Sequence, residues 1–183
     1  MYKCSLVESY GLYYNISTVH KYISGESSIS QQDNNNIASK FTIYHNNIQS
    51  APPKVNSLVA IVKNIKPTVI TLNEINLRKN KKIVIEGYTG FNRNRNNGHM
   101  GGVATLVAEE DADKVLKVSE GKEGNEYIVT RHSQFVVPIN VINIYGEVES
   151  RATNDSVESK WTEIMEEVIK KKLGMRKLLS SET

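Results

Sequence analysis

Apolar residues between positions 41 and 73 change their spacing twice along the chain. In residues 41–45 they alternate with polar residues, which is typical of a strand with one buried face. In residues 55–65 they recur every three or four positions, as on one face of a helix. Residues 69–72 form a short apolar run that indicates a buried strand. This order predicts a βαβ unit whose two strands lie in one sheet.

The rest of the chain carries more strand patterns than helical ones. Runs rich in β-branched residues predict strands at 103–108, 114–118, 126–131 and 138–145, of which the second and third form a hairpin. Residues 76–97 are expected to be a basic loop with one apolar island. A second helical stripe covers residues 155–173, with Asp155 or Ser156 as its N-cap and Gly174 after its end. The predicted fold class is α+β, mostly β-sheet with two helices.

A single domain is expected. Residues 1–39 are rich in tyrosine, serine and asparagine and show no long periodic pattern, so we expect a poorly ordered leader. Residues 40–175 are expected to form the domain, and residues 176–183 a C-terminal tail. With 183 residues and 39% hydrophobic content, the chain has enough apolar material for one packed core.

Charge is distributed unevenly along the chain. The net charge of the whole chain is +3, but residues 41–108 carry nine basic and two acidic side chains, which gives this segment +7. A basic segment of this kind favours a phosphate-rich partner, although a charge run in a loop is also common on a solvated surface. No apolar run reaches 18 residues, so no membrane span is expected. The single cysteine, Cys4, suits a reducing compartment, which favours the nucleus or cytoplasm over secretion.

Glu74 ends the apolar run at residues 69–72. A buried strand that delivers a carboxylate to its C-terminal end can build a binding site. The alternative is that Glu74 only marks the return of the chain to solvent.

Several separate motifs resemble, in the same order, the endonuclease/exonuclease/phosphatase superfamily. The resemblance is closest to the apurinic-type endonuclease domains of non-LTR retrotransposons and covers residues 41 to about 173. The motifs are Asn47-Ile48, Pro67 to Glu74, Glu86-Gly-Tyr, Arg93 with Arg95, Gly101-Gly-Val-Ala and Asn143-Ile-Tyr145.

The resemblance implies part of a DNase I-like four-layer α/β sandwich that cleaves DNA phosphodiesters. It implies a Mg²⁺ or Mn²⁺ ion held by Glu74 and Asn47, a choice that agrees with the preference of such ions for oxygen ligands. Asn47 would also orient the phosphate, and Tyr145 would hydrogen-bond to it near the scissile bond. By the same resemblance, Arg93 and Arg95 are expected to contact nucleic acid, and Arg151 is expected to do the same.

The sequence also departs from the family pattern. Gln49 stands where many members have an acid, and a Gly-Asp-x-Asn strand and a Ser-Asp-His motif do not occur before Thr183. We therefore expect a truncated domain that is inactive alone, with a sheet that lacks its packing partner.

Other interpretations stay open at this point. The chain could be a non-catalytic nucleic-acid-binding remnant, a phosphatase of the same superfamily, or a fragment without function. Asn47 could be a turn residue, Tyr145 an edge aromatic, and both arginines ordinary loop charges. For His45, His99 and His132, surface or packing roles are favoured.

Overall fold

The computed structural model describes residues 2–9, 12–17, 22–25, 41–95, 101–121, 126–135 and 138–146, together with 162 and 166. The elements with described bounds are ten strands, one α-helix and one 3-10 helix, and Thr162 and Glu166 are also helical. The helix α1 is Val55–Ile65 and the 3-10 helix is Glu109–Lys114. The strands are β1 Tyr2–Ser9, β2 Leu12–Ser17, β3 Tyr22–Gly25, β4 Phe41–Asn47, β5 Val69–Asn73, β6 Tyr88–Arg93, β7 Val103–Ala108, β8 Val115–Glu120, β9 Glu126–His132 and β10 Ile139–Gly146.

The strands form two five-stranded sheets, each named here after its central strand. The β5 sheet has the order β3-β4-β5-β7-β6, and the β10 sheet has the order β2-β1-β10-β9-β8. Only β4 and β5 pair in parallel; every other described pair is antiparallel. The α+β character predicted from the sequence is confirmed.

The predicted βαβ unit is confirmed. Helix α1 connects the parallel strands β4 and β5 and buries Leu58 and Val62 against the β5 sheet. Its end is marked by Lys66, which adopts a left-handed conformation with φ of 48° and donates its backbone N–H to the Val62 carbonyl at 2.8 Å. Pro67 follows directly, and its ring disfavours the right-handed α conformation at the preceding residue, Lys66, so the helix ends there.

Strands occur in the segment expected to be a poorly ordered leader and in the segment expected to be a basic loop. The expected leader, residues 1–39, contributes β1, β2 and β3, of which β1 pairs with β10 along seven residues. The expected basic loop, residues 76–97, contains β6, which pairs with β7. In both cases backbone pairing with a neighbouring strand makes the strand, so a regular apolar pattern is not required.

Two sheets pack face to face, so the expectation of a sheet without a packing partner is wrong for the described residues. Val141 of β10 packs with Phe41, Ile43 and Val69 of the β5 sheet. Nearer the opposite end of the β9–β10 pair, Ile128 of β9 and Tyr145 of β10 pack with Val103 of β7. Strands β1 and β2 of the expected leader extend the β10 sheet on the other side of β10 from β9.

Buried amide side chains also connect the sheets. Asn73 of β5 donates from Nδ2 to the carbonyl of Ile144 on β10 at 3.0 Å. In return, Asn143 of β10 donates to the carbonyl of Ala104 on β7 at 2.8 Å, and to that of Leu72 at 3.3 Å. These hydrogen bonds fix the register of one sheet on the other.

Of the predicted helix at residues 155–173, the structure describes Thr162 and Glu166, and both are helical and exposed. The other residues of that helix and the expected tail, 176–183, lie outside the described residues. Among the helices that are described, none is both long enough and apolar enough to cross a membrane.

His45 and His132 are buried in the core, which agrees with the packing role favoured for them. The Nδ1 atom of His45 lies 2.9 Å from Thr71 Oγ1, and the ring of His132 meets Phe41 edge-on at 5.4 Å. Burial lowers the pKa of each histidine from 6.5 to about 4; for His45 a hydrogen bond with Thr71 opposes part of this effect.

Because both histidines are buried with lowered pKa values, we expect the folded state to lose stability in acid. Between pH 6.5 and 4 the unfolded chain binds more protons than the folded chain, so the free energy of unfolding falls as the pH drops through this window. The slope can reach about 1.4 kcal/mol per pH unit for each histidine. Urea unfolding at pH 7.5 and pH 5.0 measures the loss. A variant carrying both His45→Gln and His132→Gln should lose less between the two pH values, and an equal loss would contradict the assignment.

Candidate functional site

Asn47 and Glu74 meet at the C-terminal ends of the parallel strands β4 and β5. The register pairs Asn47 with Asn73, so Glu74 follows directly after the last paired residue of β5. Asn47 donates from Nδ2 to Glu74 Oε1 at 3.0 Å, and its Oδ1 accepts from the Gln49 N–H at 3.3 Å. Glu74 is 6% exposed. The end of the β5 sheet marked by Asn47, Glu74 and the neighbouring Gly102 is called the Glu74 edge below.

The backbone at the Glu74 edge is unusual. Gln49, Ser50, Glu74 and Asn76 are not glycine, yet each has a positive φ, between 47° and 89°. Such conformations cost about 1 kcal/mol each or more, and they cluster at functional sites when surrounding contacts hold them. Here two hydrogen bonds hold them, from the Ser50 N–H to the Glu74 carbonyl at 2.8 Å and from the Ala51 N–H to the Ile75 carbonyl at 2.9 Å.

Gly101 and Gly102 extend the pairing of β7 with β5 to this edge. The N–H of Asn76 donates to the Gly101 carbonyl at 2.8 Å, and the N–H of Ile75 donates to the Gly102 carbonyl at 3.2 Å. Gly102 has φ of +87°, and a Cβ placed on it would lie 2.9 Å from the Ile75 side chain. A glycine is therefore needed here for both the conformation and the close approach.

Arg95, Glu126 and Tyr145 form a second group beside this edge. Glu126 is the first residue of β9 and lies opposite Tyr145 of β10. Its carboxylate forms an ion pair with Arg95 and accepts a hydrogen bond from the Gly102 N–H. The Arg95 guanidinium lies 5.9 Å from the centre of the Tyr145 ring, within cation–π range. Through Gly102, this group is connected to the Glu74 edge.

Residues 78–82 form an exposed basic loop that is closed around Asn94. The Nδ2 atom of Asn94 lies 2.7 Å from the carbonyl oxygens of Arg78 and Lys81, and 3.2 Å from that of Lys79. Because these carbonyls point inward, the loop is held in shape while its cationic residues stay exposed.

The structure brings most of the sequence-predicted site residues to one end of the sandwich. Asn47 and Glu74 are in contact, and Tyr145 follows Ile144, which Asn73 contacts across the sheets. Arg93 ends β6 opposite Val103, at the same end. Arg95 is also there, but its guanidinium is paired with Glu126. Arg151 and His99 lie outside the described residues.

Glu126 was not predicted as a site residue. The sequence placed it at the start of a strand, and an acid at a strand end was the signal that identified Glu74. For Glu74 that end was the C-terminal one of a buried strand, so the same signal does not identify Glu126, which begins its strand. Its partner Arg95 lies 31 positions earlier, a distance at which spacing gives no indication of contact.

The Glu74 edge offers a carboxylate and an amide oxygen to a divalent cation, although the Asn47 amide here turns its Nδ2 to Glu74 and its Oδ1 accepts from the Gln49 N–H. The Glu74 carboxylate and the Asn47 amide oxygen are hard oxygen donors, and Mg²⁺ usually keeps several water ligands beside one or two carboxylates. Within the residues that the structure describes, no group of three or more histidine, cysteine, aspartate or glutamate side chains could hold a metal ion.

The chain matches no protein-family model and no curated protein. Family membership and function therefore remain proposals.

Gly102 provides a test of the close packing at this edge. Gly102→Ala should lower the free energy of unfolding by about 2 kcal/mol or more, because strain in φ and the contact with Ile75 act together. Gly87→Ala is the matched control, since Gly87 has a similar φ of +80° but a Cβ added to it would have no atom within 4 Å. Urea unfolding of both variants measures the difference. Equal losses would show that the approach to Ile75 is not tight.

Proposed function

We propose that the Glu74 edge binds a divalent metal ion and a DNA phosphodiester, as in a DNase I-like, metal-dependent endonuclease domain of mobile-element origin. The observation that carries the proposal is the 3.0 Å hydrogen bond between Asn47 and Glu74 at the ends of adjacent parallel strands. The resemblance of the sequence assigns a metal site to these two residues. The strained backbone of Glu74 supports a functional interpretation.

Each residue has a distinct part in this proposal. Glu74 and the Asn47 oxygen would hold the metal, which when bound offsets negative charge on the phosphate oxygens. Arg93 and the exposed basic loop at residues 78–82 would contact the phosphate backbone and position the DNA. The contact of Tyr145 with the phosphate stays a prediction from the resemblance. Tyr145 is 2% exposed, so that contact requires its surroundings to move.

For the described residues we propose that they bind the metal ion and DNA, and not that they cleave the DNA. Cleavage also needs a group that activates water, and the proposal assigns that role to none of the described residues.

A non-catalytic nucleic-acid-binding role is the second candidate. The observation that favours it is the preformed basic loop, whose shape depends on Asn94 and requires no metal. An exposed loop of this kind suits an extended polyanion better than a small or lipid phosphate, which makes the phosphatase alternative weaker.

Glu74→Gln tests the proposed function. The substitution keeps the size of the side chain and removes its charge, so the affinity for Mn²⁺ should fall about tenfold or more. Titration calorimetry on the full chain measures this affinity, and a parallel assay follows DNA binding and the nicking of supercoiled plasmid in Mg²⁺. Glu86→Gln is the matched control, because Glu86 is exposed and takes part in a long surface ion pair, with its Oε2 atom 4.0 Å from Lys63 Nζ.

The outcomes separate the two candidates. Mn²⁺ binding that depends on Glu74 and not on Glu86 supports the metal-dependent function, and nicking with the same dependence would extend it to catalysis. DNA binding that falls steeply with salt, without any saturable Mn²⁺ binding, would refute it and support the second candidate.

A further inference from the structure

Glu126 is a buried carboxylate next to the Glu74 edge, and the proposed function does not use it. Its side chain is 4% exposed and that of its partner Arg95 is 17% exposed. A carboxylate is rarely buried to this extent unless a cation and hydrogen bonds compensate for the lost hydration. Glu126 has both, from the Arg95 guanidinium and from the Gly102 N–H.

Each contact of Glu126 leads to a residue of the candidate site. Gly102 donates its N–H to Glu126 and accepts a hydrogen bond from Ile75, the residue after Glu74. Arg95 is held by Glu126 and lies over the Tyr145 ring. Glu126 therefore connects the backbone beside Glu74 to the side chain of Tyr145.

The space around this group is tight. A Cβ on Gly101 would lie 2.7 Å from Arg95 Nε and 2.9 Å from a carboxylate oxygen of Glu126. The ion pair thus lies directly against the Gly101 backbone, whose carbonyl accepts the hydrogen bond from Asn76. Movement of the pair would displace the strand end that supports the loop after Glu74.

We infer that Glu126 is a positioning residue of the Glu74 edge. By pairing with Arg95 and binding the Gly102 N–H, it holds the loop after Glu74 and the Tyr145 ring in place. Arg95 accordingly acts as an internal cation and not as a phosphate contact. This inference rests on the proposed function of the same edge, because the property that Glu126 supports is metal binding by Glu74 and Asn47.

The test compares Mn²⁺ affinity with stability in variants of the full chain. Glu126→Gln should weaken Mn²⁺ binding about tenfold, as the loss of supporting contacts around metal ligands commonly does. Glu120→Gln is the matched control and should change the affinity less than about twofold, because the Glu120 ion pair with Lys117 is exposed to solvent. Circular dichroism establishes that each variant is folded under the conditions of the titration.

A double variant separates positioning from a purely structural role. Glu126→Gln alone leaves the Arg95 charge without its partner carboxylate, so its urea midpoint should fall below that of the double variant Arg95→Gln with Glu126→Gln. The double variant should regain part of the midpoint but not the Mn²⁺ affinity.

Recovery of the affinity together with the midpoint would refute the positioning role, as would a Glu126→Gln variant that binds Mn²⁺ like the wild-type chain. A wild-type chain that binds no Mn²⁺ would instead refute the proposed function itself. The two failures are therefore distinguishable.

Discussion

Two buried amide side chains determine how the sheets of this protein face each other. Asn73 reaches from β5 to the carbonyl of Ile144, and Asn143 reaches from β10 to the carbonyls of Leu72 and Ala104. The Oδ1 atoms of both amides have no hydrogen-bond partner among the described residues. Each side chain is therefore held by the hydrogen bonds that its Nδ2 atom donates. A shift of one sheet would leave these buried donors unpaired, at about 1–3 kcal/mol each. The register of the sandwich is therefore specified by polar contacts inside an otherwise apolar interface.

This register is what brings the candidate site together. Asn73 precedes Glu74, and Ile144 precedes Tyr145, so the contact between Asn73 and Ile144 places both functional candidates at one end of the sandwich. Glu126 lies opposite Tyr145 and reaches the Gly102 N–H on the other sheet. The site is thus built on the ends of central strands, while strained loop residues such as Glu74 are held by backbone hydrogen bonds. Rigid support of this kind is what a precise binding site requires.

The sequence predicted those parts of the fold that depend on local periodicity. The βαβ unit follows from apolar spacing, and the β8–β9 hairpin follows from two strand patterns around a turn-rich segment. Strands β1 and β6 were not predicted, because they form by backbone pairing with β10 and β7 and not through a regular apolar face. The site shows the same division. Asn47 and Glu74 were suggested by motif position, whereas Glu126, Asn73 and Asn143 act on partners 24 to 71 positions away, which spacing along the chain does not show.

The central claim is that one edge of the β5 sheet binds a divalent cation. Paramagnetic broadening by substoichiometric Mn²⁺, observed in amide NMR spectra, tests it most directly because it locates the ion. The account predicts that the amide signals of Ile48, Ile75 and Gly102 broaden first, while those of Val115 and His132, which pair at the opposite end of the β10 sheet, stay sharp. Broadening centred on the acidic 3-10 helix with Glu109, Glu110 and Asp111 would contradict the claim.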